Sequence, residues 1–192
     1  MKNNERKNQL IKAASKRFSR LGYHKTTLEE VARDIRIGKA TIYHYFKSKD
    51  ELYQAVLEFE LSEMIESIKN IFNNEEISIS DRFLNYFNIK QNIFVENKTI
   101  SNLMLRKLLN ELTESEVAII DKLFNDDIEI IKLLMNFLHR DKIEKYDEKI
   151  PFEIVHLSWI IAILKSKTLQ KDFEKNFFNE ARLKRIIETL IS

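Results

Sequence analysis

Apolar residues recur along this chain at intervals of three and four, which is the spacing of helices rather than strands. Leu10, Ile11, Ala14, Phe18 and Leu21 form the stripe of a first helix expected at about 4–21, with Lys7, Lys12, Lys16, Arg17 and Arg20 largely outside it. Gly22 stands where a left-handed C-cap would end that helix. Thr27 and Glu30 make a capping box, so a second helix starts at Leu28 and turns Leu28, Val31, Ala32 and Ile35 inward. Gly38 permits a turn or serves as an N-cap. A third short helix, Lys39 to about Phe46, buries Ile42 and Phe46 at i and i+4. Its other face carries Lys39, Thr41, Tyr43, His44 and Tyr45.

The rest of the chain reads as longer helices. Ser48 with Glu51 is a second capping box and opens a helix of about 49–72 through Leu52, Val56, Phe59, Met64, Ile68 and Ile71. Ser80-Asp81 reads as the cap of a fifth helix, about 81–96, rich in aromatics (Phe83, Tyr86, Phe87, Phe94). A sixth, about 99–111, carries Leu103, Met104, Leu105, Leu108 and Leu109. Thr113 with Glu116 opens a seventh that runs to about Leu138. The charged run 139–149 is a surface connection, and Pro151 fits the first turn of an eighth helix, about 152–169. That helix is apolar nearly all round, so it is either internal or covered by a partner. A ninth is expected at about 174–191. The fold class is therefore all-α, with about nine helices. The expected division is residues 1–51 as a helix-turn-helix unit and 52–192 as a helical body.

Composition sharpens this picture. Two glycines and one proline in 192 residues leave little material for anything but helices. Net charge is only +2, but residues 1–50 hold 13 Lys and Arg against 5 Asp and Glu, a balance of +8, and the remainder 19 against 25, or −6. A basic end joined to an acidic body, with hydrogen-bonding groups outward on a short second helix of a tight helical pair, points to double-stranded DNA. No cysteine is present, so neither a disulfide nor a thiolate site is available. His24, His44, His139 and His156 show no metal-ligand spacing, and His156 reads as an interface or core histidine. No nucleophile elbow, phosphate-cradling loop or catalytic dyad is visible; Asp126 and Asp127 diverge on their helix. No enzyme activity, metal or cofactor is expected. With no run of eighteen apolar residues, the expectation is a cytoplasmic protein without a membrane partner.

The segment Ile11 to Val56 resembles the N-terminal domain of the tetracycline-repressor (TetR) family of bacterial transcription regulators. The resemblance rests on Ala13-Ala14, Phe18, Gly22-Tyr23, Thr26-Thr27, Val31-Ala32 and the run Thr41-Ile-Tyr-His-Tyr-Phe-Lys-Ser-Lys-Asp-Glu-Leu52. It implies that Lys39, Ala40, Thr41 and His44 face base edges or nearby phosphates. It likewise implies that Tyr43, Tyr45 and Lys49 grip the backbone, and that Thr27 starts a helix that meets a phosphate. It also implies that residues 1–51 are the DNA-binding domain and 52–192 the effector-binding and dimerisation domain, with a homodimer through the last two helices, a palindromic operator, and release of the repressor by a small-molecule effector. Phe83, Phe87, Phe94, Met104, Phe124 and Trp159 are the candidate lining of the effector pocket. Few buried charges are evident, so the effector is expected to be apolar or amphipathic. The chain departs from the family pattern at Arg36, where glycine is usual, and at Gly38, where a serine or threonine cap is usual, so a differently set turn is expected. A helical adaptor of the same fold, without operator or ligand response, is the alternative, and an enzyme with a helical pocket is a third reading.

Overall fold

The computed structural model describes residues 2–96, 98–139, 146–164, 184–186 and 188–189. Among these are eight helices and no strand: α1 (Lys2–Leu21), α2 (Leu28–Asp34), α3 (Lys39–Tyr45), α4 (Lys49–Phe72), α5 (Ile79–Glu96), α6 (Lys98–Leu108), α7 (Glu114–Leu138) and α8 (Ile150–Leu164). The starts of α2, α4 and α7 fall where side-chain caps were expected. At α7, the Thr113 N–H donates to the Glu116 carboxylate at 2.9 Å and the Glu116 N–H returns to the Thr113 hydroxyl at 3.4 Å. At α4, Ser48 accepts from the Glu51 N–H at 3.1 Å, while the Glu51 carboxylate reaches one residue further back, to the Lys47 N–H at 2.7 Å. The cap of α5 is Ser78 and not Ser80, because the Ser78 hydroxyl accepts the Asp81 N–H at 3.2 Å. Helix α6 stops three residues before 111, where Asn110 turns left-handed at φ 58°. Most of the ninth helix expected at 174–191 lies outside the described residues.

The chain forms two compact units: Met1–Glu63 with Asn97–Ile119, and Met64–Glu96 with Ile120–Ser192. Residues 97–119 thus belong with the N-terminal helices, although they follow residue 52 in sequence. The core of the first unit joins Leu10, Ile11, Ala14 and Phe18 of α1 to Leu28, Val31 and Ala32 of α2. Ile42, Phe46, Leu52 and Val56 complete it. Tyr23 and Tyr53 close over Phe18, with ring centroids 6.1 and 5.3 Å away. The basic face of α1 is not simply solvated. Arg17 makes a forked bond to Asp34 and approaches Glu30 at 3.4 Å, so it pins α1 to α2. Lys7 and Lys12 lie over the rings of Phe46 and Phe59, each 5.5 Å from the centroid. Of the apolar residues the sixth helix was expected to carry, Leu103 and Met104 are buried, but Leu105, Leu108 and Leu109 are exposed.

The second unit has an apolar shell of Phe72, Phe83, Phe87, Ile120, Leu123, Ile131, Ile154, Val155 and Trp159 around a polar centre. Lys90 is fully buried and pairs with fully buried Asp127; its ammonium also donates to the Tyr86 hydroxyl at 2.6 Å and to Ser158 at 2.7 Å. This corrects the expectation that buried charge is scarce. Burial draws the Lys90 pKa down to about 8 against the opposing pull of Asp127, and drives the Tyr86 phenol well above its usual range. The placement follows from periodicity: Lys90 lies seven residues after Phe83 and four before Phe94, and Asp127 seven after Ile120 and four before Ile131, so both occupy core phases of their helices.

A buried ion pair that loses one partner leaves an uncompensated charge. Lys90→Met should therefore cost about 3–5 kcal/mol of unfolding free energy, read by urea denaturation with Trp159 fluorescence. The double variant Lys90→Met/Asp127→Leu should recover most of that loss. Equal losses in single and double variants would show that the pair does not hold the unit together.

Candidate nucleic-acid interface

Two short helices cannot stand alone in water, since seven residues are too few to repay nucleation. Here α2 and α3 are held by caps and by the core. At α2, the Thr27 N–H donates to the Glu30 carboxylate at 3.0 Å, and the Glu30 N–H donates to the Thr27 hydroxyl at 3.3 Å. The turn after α2 is a Schellman motif: the Ile37 N–H reaches the Ala32 carbonyl at 2.9 Å and the Arg36 N–H the Arg33 carbonyl at 3.0 Å. Arg36 sits at the left-handed position, φ 56°, that glycine fills at lower cost. The turn is therefore set left-handed without glycine. Gly38 is the N-cap of α3 in an extended conformation and supplies no side-chain cap.

Ile42 and Phe46 are fully buried, and their depth fixes the rotation of α3. Lys39, Ala40, Thr41, Tyr43 and His44 are consequently exposed, with Tyr45 half-buried against the core and its ring 5.4 Å from that of His44. Lys49 is held further back: its ammonium donates to the Tyr23 carbonyl at 3.2 Å and lies 4.1 Å from the Tyr23 ring centroid. Thr27 is exposed but spends its hydroxyl within the capping box. So five of the eight expected DNA-facing residues share the outer face of α3, and Thr27, Tyr45 and Lys49 flank it.

One participant escaped the sequence reading. Glu29 on α2 accepts from both Lys39, at 2.8 Å, and Tyr43, at 3.1 Å. The bond from Lys39 above all draws the Glu29 carboxyl down to about 2. The contact crosses the turn between two helices, and no spacing rule within one helix signals it.

The candidate pocket residues fall differently. Phe83, Phe87, Phe94 and Trp159 are buried in the second unit, Phe124 is half-buried there with its ring stacked 6.3 Å from Trp159, and Met104 is buried in the first unit. Among the described residues, the Asp127 Oδ1 and the Trp159 Nε1 are buried without a hydrogen-bond partner. A cleft of about 880 Å³ opens within the first unit, walled by Phe18, Leu21, Tyr53, Leu105, Leu109 and Arg106 among others, and none of the six candidate residues lines it. His156 is half-buried, its ring 3.8 Å from that of Phe152.

Residues 10–56 match the family model described as bacterial regulatory proteins, tetR family. An uncharacterized HTH-type transcriptional regulator of Bacillus subtilis (strain 168), YhgD, is 28% identical over 135 residues, covering 65% of this chain and 70% of its own. The HTH-type transcriptional regulator HbdR of Aromatoleum sp. (strain CIB) is 44% identical over 48 residues, which span 25% of this chain but 21% of that relative's length. Among solved structures, the transcriptional regulator FadR from Bacillus subtilis in complex with stearoyl-CoA superposes with TM-score 0.66 at 16% identity, covering 95% of this chain and 96% of that one. That last likeness is one of fold.

The left-handed Arg36 gives a local test. Arg36→Gly relieves the steric conflict at φ 56° and should stabilise the protein by about 1 kcal/mol, measured by thermal or urea unfolding. Gly22→Ala, at φ 82° with nothing within 4 Å of the added carbon, should destabilise by a similar amount for the same reason. No change for Arg36→Gly would mean that the turn carries no strain.

Proposed function

We propose that this chain, a DNA-binding transcription regulator of the tetR family, is a dimeric cytoplasmic repressor that a small amphipathic effector releases from a palindromic operator. The observation that carries the DNA part is the orientation of α3: with Ile42 and Phe46 locked in the core, Lys39, Thr41, Tyr43 and His44 have no direction but outward. Thr41 and His44 then read base edges, with the Thr41 methyl suited to thymine. Tyr43, Tyr45 and Lys49 position the protein on phosphates. Residues 1–51 act as the reading domain and 52–192 as the body.

Support for a dimer comes from apolar surface on the second unit. Leu133 of α7 and Phe152 and Ile160 of α8 are exposed apolar side chains of that unit, of the kind a second copy would cover. Trp159, by contrast, faces its own interior. A two-fold dimer places two α3 helices about 34–36 Å apart, one turn of DNA. Support for an effector comes from the aromatic second unit with its buried polar centre. The lone donor on Trp159 and lone acceptor on Asp127 would suit a ligand with an apolar body and a polar head. A structure of the same fold, FadR, was solved with stearoyl-CoA, an amphipathic molecule of that kind. Helix α4 begins three residues after Phe46 and runs on past Glu63, so one helix contributes residues to both units. A ligand that favours the wrong spacing of the two α3 helices lowers operator affinity, and the operator lowers ligand affinity by the same factor.

The experiment is operator selection from a random pool, followed by binding of variants. Thr41→Ala and His44→Ala should change preference among operator variants by about 1–3 kcal/mol per lost base contact. Lys49→Ala should weaken all of them alike and reduce the log K against log salt slope by roughly two units in a dimer. Selection that enriches no sequence would leave the adaptor reading standing.

A further inference from the structure

Lys39 and Tyr43 lie one turn apart on α3, so their outer ends converge. They converge on a single oxygen. Glu29 Oε1 accepts from the Lys39 ammonium at 2.8 Å and from the Tyr43 hydroxyl at 3.1 Å, and the ammonium sits 5.6 Å from the Tyr43 ring centroid. An ammonium and a hydroxyl donating to one anionic oxygen is also the way a backbone phosphate is held. With its pKa near 2, the carboxylate is fully ionised at neutral pH. The Lys39 side chain remains 69% exposed, so the three groups are tethered to each other at the surface and not sealed into the core.

We propose that Glu29 is a built-in competitor of DNA phosphate, holding Lys39 and Tyr43 in the free protein and yielding them when a duplex arrives. This rests on the reading of Lys39 and Tyr43 as DNA contacts. The consequence is a threshold for binding. Any duplex, whatever its sequence, must break two hydrogen bonds to Glu29 and bring a phosphate close to its carboxylate. Glu29 bonds Lys39 and Tyr43 and neither Thr41 nor His44, so the base contacts assigned to those two do not compete with it. Sequence-independent attachment to the large excess of ordinary DNA is thereby held down. The same bonds keep Lys39 and Tyr43 in one pose before contact, which limits the side-chain freedom lost on binding.

The test uses the full chain and a random-sequence duplex of about 30 base pairs, followed by fluorescence anisotropy over a range of salt. Glu29→Gln keeps the shape and removes the charge. It should tighten binding about tenfold near 0.1 M salt and steepen the log K against log salt slope by up to about two units in a dimer. In a Lys39→Met/Tyr43→Phe background the same substitution should give little or no gain. Unchanged affinity and slope in a folded Glu29→Gln protein overturn the proposal. So does a gain that persists undiminished in the double-variant background, because Glu29 would then act only by repelling DNA at a distance. Failure of the underlying reading has another signature: Lys39→Met and Tyr43→Phe would leave the affinity of the otherwise native chain unaltered, and both the reading and the inference would fall together.

Discussion

The burial of Ile42 and Phe46 is the constraint on which the rest depends. Helix α3 has seven residues and no side-chain cap, so it has little helical stability of its own. Two fully buried side chains, each stabilising by about 1.5–3 kcal/mol, supply what propensity does not. They also set the helix rotation. Because they stand four apart, they define one line along α3, and the residues between and beside them have to point away from it. The outward set of Lys39, Ala40, Thr41, Tyr43 and His44 is therefore a consequence of packing. The capping box at Thr27, the left-handed Arg36 and the forked bond from Arg17 to Asp34 act toward the same end, by fixing α2 so that α3 has a firm surface to rest on.

Charge is handled in opposite ways in the two units. In the first, each of these pairs keeps one partner in contact with solvent: Arg17 with Asp34, Lys39 with Glu29, and Arg106 in a forked bond with buried Glu116. Such pairs contribute modestly to stability, but they decide where the side chains are. In the second unit, Lys90 and Asp127 are removed from water altogether, at a desolvation cost that a packed apolar pair would not incur. Tyr86 and Ser158 offset part of that cost, yet among the described residues one Asp127 oxygen and the Trp159 N–H stay unmatched.

Much of this was legible in the sequence because it is local. The capping boxes at Thr27 and Thr113, the glycine after Leu21, the inward pair Ile42 and Phe46 and the outward face of α3 all follow from spacings of three and four. What was missed is non-local or hidden by composition. Ser78 displaced Ser80 as the cap of α5 because either could serve, and only the turn of the chain before them decides. The exposure of Leu105, Leu108 and Leu109 cannot be read from α6, since it depends on what is packed against that helix. Lys90 and Asp127 did carry a signal, their phase among Phe83, Phe94, Ile120 and Ile131, but a charged residue is read as outside unless that phase is checked. The joining of Glu29 to Lys39 and Tyr43 spans two helices and a left-handed turn, so it needed coordinates.

Two copies of α3, rotated outward by their buried faces, are proposed to read successive major grooves on one side of a duplex. Hydroxyl-radical footprinting of the full chain on its selected operator tests this most directly. The account predicts two protected patches on one face of the DNA, centred about 10–10.5 base pairs apart, or a whole multiple of that spacing. A single protected patch, or protection that runs evenly around the duplex, would contradict it.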